Sequence, residues 1–465
     1  MIQRALRKIQ SVPALHNETQ VSDATVVTLK SHRSHTHRLI VAHMRLALVT
    51  IALFVVPVVT GGQAADALLA RVKQERNAFV QTLQELVSIE SGSRDIEGLT
   101  RLSEVIAGRL RALGGDVQFV APATDGIRFQ DTPAQIGRIV LARFKGTGTR
   151  NILLLAHMDT VYERGMAARQ PFRIEGDRAY GLGIEDDKQG IALILHTLTM
   201  LRALGSREYG TLTVLINADE EIGSPGSRAL ITRLGREHDV ILSCESGGPD
   251  RDDRVQLATT GNGAVLLRVT GRASHAGEAP EEGRNALYEL AHQIMQMRDL
   301  SDPREGIKMN WTVASAGTVR NQIPASAQAT ADVRVQRVAS WDRIEGLVRE
   351  RVKKTLVPDT KVEVVVERRR PPLEATDASR RLAAHAQRIY AKAGRKLRVA
   401  TEGSGGATDA ALAALETRGP VVEGLGILGD GAHGSGAEFI FLSSIEPRLY
   451  LLSQLIMDLA GGKNP

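Results

Sequence analysis

The chain has 465 residues, a formal net charge of +6 and 43% hydrophobic residues. This length suffices for two domains, each with its own core, and the hydrophobic fraction is that of a globular protein. The positive charge is concentrated near the N-terminus, because residues 1–64 carry seven Lys or Arg against Glu18 and Asp23, a net of +5. The rest of the chain is close to neutral, so the charge does not indicate a nucleic-acid-binding protein.

The N-terminal region has the pattern of a secretory signal. Met44 and Arg45 precede fourteen mostly apolar residues at 46–59, and small residues follow up to Ala64. A charged start, a short apolar stretch and a small-residue end are typical of a signal peptide, and a membrane span needs about 20 apolar residues. We expect translation to begin at Met44 and cleavage after Ala64. The mature protein is then periplasmic or secreted, without stable membrane association; an uncleaved signal anchor is the alternative.

The first candidate site residues follow an apolar run at residues 153–156. His157 and Asp159 come directly after it. Such a run is typical of a buried strand in a parallel sheet, and the carboxyl ends of these strands carry the sites of open α/β sheets. Residues two apart point to the same side of an extended chain, so His157 is suited to bind a metal with Asp159 orienting it. A plain strand-end histidine remains the alternative.

Three consecutive acids, Glu185, Asp186 and Asp187, stand between a glycine-rich segment and the apolar helix pattern of residues 191–201. A glycine-rich turn before a helix also occurs in nucleotide-binding proteins. Here the Lys-Ser/Thr ending of a phosphate-binding loop is missing, and three carboxylates would repel a phosphate. Capping of the helix by an aspartate explains one acid only. The segment therefore indicates metal ligands rather than a nucleotide site.

Further carboxylates and a histidine follow along the chain. Glu220 and Glu221 are adjacent after another apolar run, where two carboxylates repel each other unless a cation holds them. Glu245 follows the apolar run at 239–243, and His433 lies in a glycine-rich loop near the C-terminus. This mixture of carboxylates and imidazoles suits zinc, manganese or cobalt better than calcium. Each side chain alone has a structural explanation, but several on successive strand ends indicate one metal centre.

Residues 262–375 are predicted to form an inserted second domain. The predicted strands cover residues 264–269, 310–314, 329–335 and 361–367, and the predicted helices cover residues 285–298 and 340–355. The resulting βαββαβ order is that of a ferredoxin-like fold.

Five motifs lie along the chain in an order and spacing known from one group of enzymes. They are His157-Met-Asp159-Thr, Gly181-x-Gly-x-x-Asp186-Asp-Lys-x-Gly190, Asp219-Glu220-Glu221-x-Gly223-Ser, Ala273-Ser-His275-Ala-Gly277 and Gly405-Gly406-Ala-Thr-Asp409-Ala-Ala. Through these motifs the chain resembles the aminoacylase/carboxypeptidase clan of di-zinc peptidases, and within it the bacterial glutamate carboxypeptidases, which remove C-terminal glutamate from folates. The resemblance covers the chain from about residue 66 to the C-terminus. It implies an α/β catalytic domain with a mixed, mostly parallel sheet flanked by helices, and an inserted α+β ferredoxin-like lid that mediates dimerisation.

The resemblance implies a ligand set for two zinc ions, in whose place cobalt or manganese is possible. Asp186 would bridge the two ions. His157 and Glu245 would complete one site, and Glu221 and His433 the other.

The resemblance also implies catalytic roles. Glu220 would be the general base that takes a proton from the attacking water, and Asp159 would tune His157. His275 would donate a hydrogen bond to the oxyanion, often across a dimer interface. One departure is visible: the family usually has serine after the last histidine, where this chain has Gly434. Glu438 still falls where the family has an acid.

Substrate-binding positions are carried over in the same way. Asn321 and Arg334 match family positions that hold the terminal carboxylate of the substrate, for which a bidentate arginine is well suited. Arg254 and Arg370 are candidates for a second carboxylate on the substrate side chain, although a solvated surface arginine is an equally good explanation for each. Gly406 belongs to a glycine-rich loop that flanks the predicted site.

The predicted function is that of an exported zinc carboxypeptidase that cleaves a C-terminal amino acid, expected to be glutamate, from N-acyl or peptidyl, folate-like substrates. An aminoacylase, dipeptidase or deacylase of the same clan is the alternative, followed by an inactive peptide-binding homologue. The predicted partners are this small substrate and a second copy of the chain, bound through the lid. The predicted segments are a non-native extension (1–43), a signal peptide (44–64), a catalytic domain in two parts (65–261 and 376–465) and the lid domain (262–375).

Overall fold

The computed structural model describes residues 61–123, 126–249, 252–403, 405–434 and 437–463. The predicted extension and residues 44–60 of the predicted signal peptide lie outside the described residues. The predicted cleavage point after Ala64 falls near the start of the first helix. None of the helices in the described part of the chain combines the length and the apolar character needed to cross a bilayer.

The described residues form nine α-helices and sixteen strands. The helices are α1 (Gly61–Val87), α2 (Ile96–Ala112), α3 (Gln189–Ala203), α4 (Arg228–Glu237), α5 (Ala286–Gln296), α6 (Val338–Arg351), α7 (Asp377–Lys392), α8 (Ala410–Ala414) and α9 (Ile445–Ala460). The strands are β1 (Asp116–Val120), β2 (Ile139–Lys145), β3 (Asn151–His157), β4 (Arg173–Glu175), β5 (Arg178–Tyr180), β6 (Thr211–Asn217), β7 (Val240–Ser243), β8 (Arg254–Gln256), β9 (Gly261–Thr270), β10 (Ile307–Ala316), β11 (Ser326–Val335), β12 (Lys361–Arg370), β13 (Arg398–Ala400), β14 (Val421–Val422), β15 (Gly429–Asp430) and β16 (Phe439–Phe441).

A six-stranded sheet with the order β1-β2-β6-β3-β7-β14 lies at the centre of the larger part of the fold. The β6–β3, β3–β7 and β7–β14 pairs are parallel, and the β1–β2 and β2–β6 pairs are antiparallel. The predicted mixed, mostly parallel sheet is therefore confirmed.

Helices cover both faces of this sheet, as the side chains of β3 show. Ile152 and Leu154 point into a core shared with α1, α3 and α9. Leu153 and Leu155 point into a second core shared with α4 and α8. Successive side chains of a strand face opposite sides, so a strand buried on both faces must be a continuous apolar run. This explains why residues 152–156 have no polar member.

The parallel strands bring the predicted site segments to one edge of the sheet. β3 ends at His157, β6 ends at Asn217 and β7 ends at Ser243. These three strands are neighbours with the same direction, so the residues that follow them meet at the carboxyl edge.

The second sheet, with the order β10-β11-β9-β12, is antiparallel throughout. Helices α5 and α6 pack on one of its faces around Trp341 and Ile344. The chain order β9-α5-β10-β11-α6-β12 confirms the predicted ferredoxin-like arrangement. Pairing extends β10 beyond its predicted apolar centre, from Ile307 opposite Val335 to Ala316 opposite Ala327. The predicted domain boundaries at residues 262 and 375 remain a prediction.

Candidate metal centre and active site

The candidate site is built on the loops that follow the sheet's parallel strands. Glu220 begins a short 3₁₀ turn after β6, and Glu245 follows β7. Asp186 lies in the turn at Ile184–Lys188, directly before α3, and its own backbone is not helical. His433 comes from the loop between β15 and β16. His157 stands at the end of β3, so five separate chain segments supply the side chains.

Asp186 lies between the two histidines. Its Oδ1 atom is 2.8 Å from Nε2 of His157, and its Oδ2 atom is 3.1 Å from Nε2 of His433. Glu245 approaches His157 Nε2 at 3.3 Å, and Glu221 approaches His433 Nε2 at 3.0 Å. Each histidine is thus paired with its own glutamate, and the carboxylate of Asp186 reaches both.

The structure contains two groups of side chains that could each hold a metal ion. Within each group the ligand atoms lie within 4.8 Å of one another. One group contains His157, Asp187 and Glu245, and the other contains Asp186, Glu221 and His433. Asp187 is held differently from Asp186, because its Oδ1 atom accepts a hydrogen bond from Gln189 Nε2 at 2.7 Å. The carboxylate of Asp186 is thus the better placed of the two to serve both groups.

The carboxylates of this site are buried close together, which favours a bound cation. Burial raises the pKa of Glu220 well above its usual value, and burial together with Asp186 raises the pKa of Glu221 to about 7. Burial also raises the pKa of Glu245. The buried Nε2 atom of His157 makes no hydrogen bond of good geometry, although two carboxylate oxygens are near. A divalent cation among these atoms would bind Nε2 and neutralise the carboxylates, and the donor set suits zinc.

Asp159 connects the histidine with the glutamate pair. Its side chain accepts hydrogen bonds from the backbone N–H of Glu220 at 3.0 Å and of Glu221 at 3.1 Å, and from the hydroxyl of Ser93 at 2.8 Å. Nδ1 of His157 is 3.5 Å from Asp159 Oδ1 and 3.0 Å from the backbone oxygen of Asp159. The carboxylate therefore fixes the glutamate turn and the imidazole together.

Glu220 and Arg370 form a buried ion pair. Nη2 of Arg370 lies 2.9 Å from Glu220 Oε1, and Nη1 lies 2.6 Å from Oδ1 of Asp409. Nη2 also donates to Ser224 Oγ at 3.0 Å and to the backbone oxygen of Glu220. The Arg370 side chain is only 3% exposed. In this structure the guanidinium is fully engaged by protein groups, although the sequence made it a candidate for the substrate carboxylate.

Glu438 holds the loop that carries Asp186. Its carboxylate accepts hydrogen bonds from the backbone N–H groups of Gly183, Glu185 and Asp186 at 2.6–3.0 Å. Three such bonds pin the loop in one conformation, so the acid at this position orients Asp186 through the backbone.

Arg254 lines a cavity of about 280 Å³ that reaches the candidate metal ligands. The same cavity is lined by Asp186, Glu245 and Gly406. The guanidinium of Arg254 contacts Asp252, which also pairs with Arg398. One carboxylate thus pairs with two guanidinium groups, while Glu185, Asp186, Glu245 and Glu423 also line the cavity.

Three of the predicted residues lie on the lid. His275 and Asn321 are close to each other, since His275 bridges Gln322 and the N–H of Ala276 donates to the backbone oxygen of Asn321 at 2.9 Å. Both side chains are exposed. Arg334 pairs with Asp332 and donates to the backbone oxygen of Gly405 at 3.3 Å, beside the Arg254 cavity.

Sequence reasoning gave no role to Asp409 or to Glu423. Asp409 stands in the last of the five motifs, and its carboxylate binds Asn217 Nδ2 at 2.7 Å besides Arg370. Glu423 is buried at the wall of the Arg254 cavity, where Thr408 donates to it. A carboxylate within an apolar stretch was the only available signal for Glu423.

The amino-acid sequence matches one family of known proteins. The model of Peptidase family M20/M25/M40 matches residues 153–458. Carboxypeptidase G2 from Pseudomonas sp. (strain RS-16) is 41% identical over 418 residues, which are 90% of this chain and 98% of the relative. Acetylornithine deacetylase from Proteus mirabilis is 30% identical over 228 residues, which are 45% of this chain and 56% of the relative.

Solved structures share the fold at lower sequence identity. Aminopeptidase PepT from Bacillus cereus superposes with a TM-score of 0.66 at 21% identity and covers 83% of this chain and 99% of its own. An M20 family metallo-carboxypeptidase from Sulfolobus solfataricus superposes with a TM-score of 0.63 at 15% identity and covers 82% of this chain and 98% of its own.

Proposed function

The chain belongs to peptidase family M20/M25/M40, and on this premise we propose that it removes a C-terminal amino acid, preferably glutamate, from N-acyl or peptidyl substrates such as folates. It is a metallocarboxypeptidase by family and by its similarity to carboxypeptidase G2 over most of both chains. The observation that carries the proposal is the position of Asp186, whose carboxylate lies 2.8 Å from Nε2 of His157 and 3.1 Å from Nε2 of His433.

We propose that two zinc ions bind here, and cobalt or manganese would suit the same donors. His157, Asp186 and Glu245 would hold one ion, and Asp186, Glu221 and His433 the other. When bound, the ions would lower the pKa of a shared water molecule and polarise the scissile carbonyl.

Glu220 is the proposed general base. It is adjacent to the proposed ligand Glu221, and its backbone N–H is held by Asp159 at 3.0 Å. Its carboxylate would take a proton from the attacking water and pass it to the leaving nitrogen. Arg370, 2.9 Å away, limits where this carboxylate can point.

His275 is the proposed donor to the oxyanion. Its Nδ1 atom accepts hydrogen bonds from the backbone N–H groups of Gly277 at 3.2 Å and Glu278 at 3.0 Å. In the neutral ring the proton is therefore on Nε2, which can donate. Because His275 is exposed on the lid, we propose that it acts in the active site of a second copy, in a homodimer formed through the lid. Sedimentation analysis tests this, and a monomer with full activity would refute it.

The preference for glutamate rests on Arg254. Its cavity of about 280 Å³ has room for one amino acid side chain and adjoins Asp186 and Glu245. The guanidinium of Arg254, which lines this cavity, can bind an anionic side chain through charge-assisted hydrogen bonds. Arg334 and Asn321 of the lid are the proposed partners of the terminal carboxylate. A glutamyl substrate would place its terminal carboxylate near Arg334 and Asn321 and its side-chain carboxylate near Arg254. A neutral side chain would offer Arg254 no carboxylate.

The test is a hydrolysis panel with Glu220→Gln. Wild-type enzyme should hydrolyse N-acyl-glutamate faster than N-acyl-glutamine, and Glu220→Gln should lower kcat by about 10²–10⁴-fold, as for loss of a general base. Glu237→Gln is the matched control, since Glu237 is an exposed residue at the end of α4. Unchanged hydrolysis in Glu220→Gln would refute the assigned base.

A deacylase of the same family is the second candidate, favoured by the similarity to acetylornithine deacetylase. Ornithine carries a cationic side chain, which cannot pair with the guanidinium of Arg254. Arg254→Gln separates the two: it should reduce the preference for glutamate over glutamine by at least tenfold. A wild-type preference for N-acetylornithine would favour the deacylase.

We propose that the enzyme is exported, as the signal pattern of residues 44–64 predicts. Mass spectrometry of the mature protein should find an N-terminus after Ala64. An intact N-terminus upstream of Met44 would contradict both the export and the start site.

A further inference from the structure

Arg254 enters its cavity from the first position of β8, a short strand that pairs in parallel with β13. Its guanidinium contacts Asp252, and its Cζ atom lies close to Gly248, where a Cβ atom would come within 3.2 Å of it. Gly248 has a φ angle of +86°, a backbone conformation that favours glycine. The direction in which the Arg254 side chain enters the cavity therefore depends on the backbone around it.

Arg448, a fully buried residue of α9, holds this backbone. Its Nη2 atom donates to the backbone oxygen of Arg254 at 2.9 Å, and its Nη1 atom donates to the backbone oxygen of Gly424 at 2.8 Å. Glu423, the neighbour of Gly424, lines the Arg254 cavity. A Cβ atom at Gly247 would lie 2.2 Å from Nη2 of Arg448, so glycine is needed for this close approach. One guanidinium therefore joins three of the segments that form the cavity.

Asp253 balances the charge of Arg448. Nη2 of Arg448 lies 2.6 Å from Asp253 Oδ1, and the hydroxyl of Tyr390 donates to Asp253 Oδ2 at 2.9 Å. Arg395 lies 3.3 Å from the same Oδ2 atom. Burial raises the pKa of Tyr390 to about 12, so its hydroxyl keeps the proton that it donates. The residue directly before Arg254 is thus fixed by α9 through Arg448 and by α7 through Tyr390.

We propose that Arg448 is a positioning residue that sets the selectivity of the Arg254 cavity. The inference rests on the proposed carboxypeptidase function and identifies the residue that maintains its preference for glutamate. A guanidinium binds a carboxylate well only when its N–H groups point at the two oxygens, so a small displacement of the Arg254 backbone would weaken the contact. A neutral substrate side chain does not use this charge and would be affected less.

The test compares kcat/KM for N-benzoyl-glutamate and N-benzoyl-glutamine, which differ only in a side-chain carboxylate or carboxamide. In Arg448→Lys the charge opposite Asp253 is kept, but a single nitrogen cannot take the positions of both Nη1 and Nη2. The glutamate-to-glutamine ratio should fall at least about fivefold through a higher KM for the glutamyl substrate, while kcat/KM for the glutaminyl substrate stays within about twofold of wild type. Tyr390→Phe removes only the hydroxyl that donates to Asp253 and should lower the ratio about threefold.

A double variant shows whether Arg448 acts through Arg254. Arg254→Gln removes the side chain that Arg448 positions, so the addition of Arg448→Lys should lower the ratio no further. Glu75→Gln is the matched control. Glu75 is buried and pairs with His196 at 2.7 Å between α1 and α3, so its replacement should lower the urea midpoint but leave the ratio unchanged.

The outcomes separate this inference from the proposed function. If wild-type enzyme does not prefer the glutamyl substrate, the proposed glutamate preference is wrong and the inference falls with it. If wild-type enzyme has the preference and Arg448→Lys leaves the ratio unchanged, or lowers both rates equally, only the inference is overturned. A further loss in the double variant would overturn it as well. If Arg448→Lys does not fold, Tyr390→Phe decides, and an unchanged ratio in that variant overturns the inference.

Discussion

Replacement of Arg370 by methionine should destabilise the fold severely. The guanidinium is buried, with Glu220 Oε1 at 2.9 Å and Asp409 Oδ1 at 2.6 Å. Methionine keeps much of the length but removes the charge, so two buried carboxylates lose their common partner. Removal of one member of a buried ion pair costs about 3–5 kcal/mol. With two carboxylates affected, we expect a loss near the upper end, about 4–5 kcal/mol.

The free energy of unfolding should be measured by urea titration with a chelator present, so that metal binding does not contribute. Arg334→Met is the control, because the side chain of Arg334 is 37% exposed and its pairing with Asp332 is near the surface. Exposed ion pairs are worth about 0–1 kcal/mol. A loss below about 1 kcal/mol in Arg370→Met, with an unchanged slope of the unfolding free energy against urea concentration, would refute the reasoning.

Arg370→Lys separates positioning of Glu220 from substrate binding. A lysine keeps the charge but cannot contact Glu220 and Asp409 together as the guanidinium fork does. If Arg370 positions the base, kcat should fall while KM changes little. If Arg370 binds the substrate carboxylate, as the sequence suggested, KM should rise.

Three further outcomes follow from the structure. Prolonged dialysis against a chelator should abolish hydrolysis, and added zinc should restore it. Full activity in a sample that metal analysis finds free of metal would contradict a metal-dependent site. The hydrogen bond from His196 lowers the pKa of Glu75, so this pair stabilises the fold above about pH 4.5, the usual value of the group, and the benefit disappears as pH falls through the lowered pKa. Glu75→Gln should therefore lower the urea midpoint at pH 7 and approach wild type below pH 4; an equal deficit at both pH values would contradict the linkage. Phe129 is buried, and the guanidinium groups of Arg228 and Arg369 both lie close to its ring. Phe129→Ala should therefore speed proteolysis within its loop severalfold, whereas an unchanged cleavage rate would show that the loop is held by other contacts.

Much of the fold could be predicted because apolar periodicity reports burial directly. The run that forms β3 is buried on both faces, so its residues are apolar without alternation, and the ends were predicted within a few residues. Pairing between distant strands was harder to predict. β2 joins the sheet as the antiparallel partner of β6, and β1 pairs antiparallel with β2. These pairings join segments that are far apart in the sequence, so no local pattern indicates them.

The residues of the candidate site could also be predicted only in part. The residues brought together at the two ligand groups stand at strand ends or in recognisable motifs, so the sequence indicated them. The partners of Glu220 were different: Arg370 follows two other arginines in the sequence, and nothing local distinguishes the one that turns into the interior. Only the packed structure shows that Asp409 and Ser224 receive its guanidinium.

The position of Arg370 also connects the lid to the proposed base. Arg370 is the last residue of β12 and lies opposite Asn262 of β9, so the chain enters and leaves the lid sheet at nearly the same place. That place is in contact with Glu220. The arginine that pairs with the proposed base therefore stands where the lid sheet joins the rest of the chain.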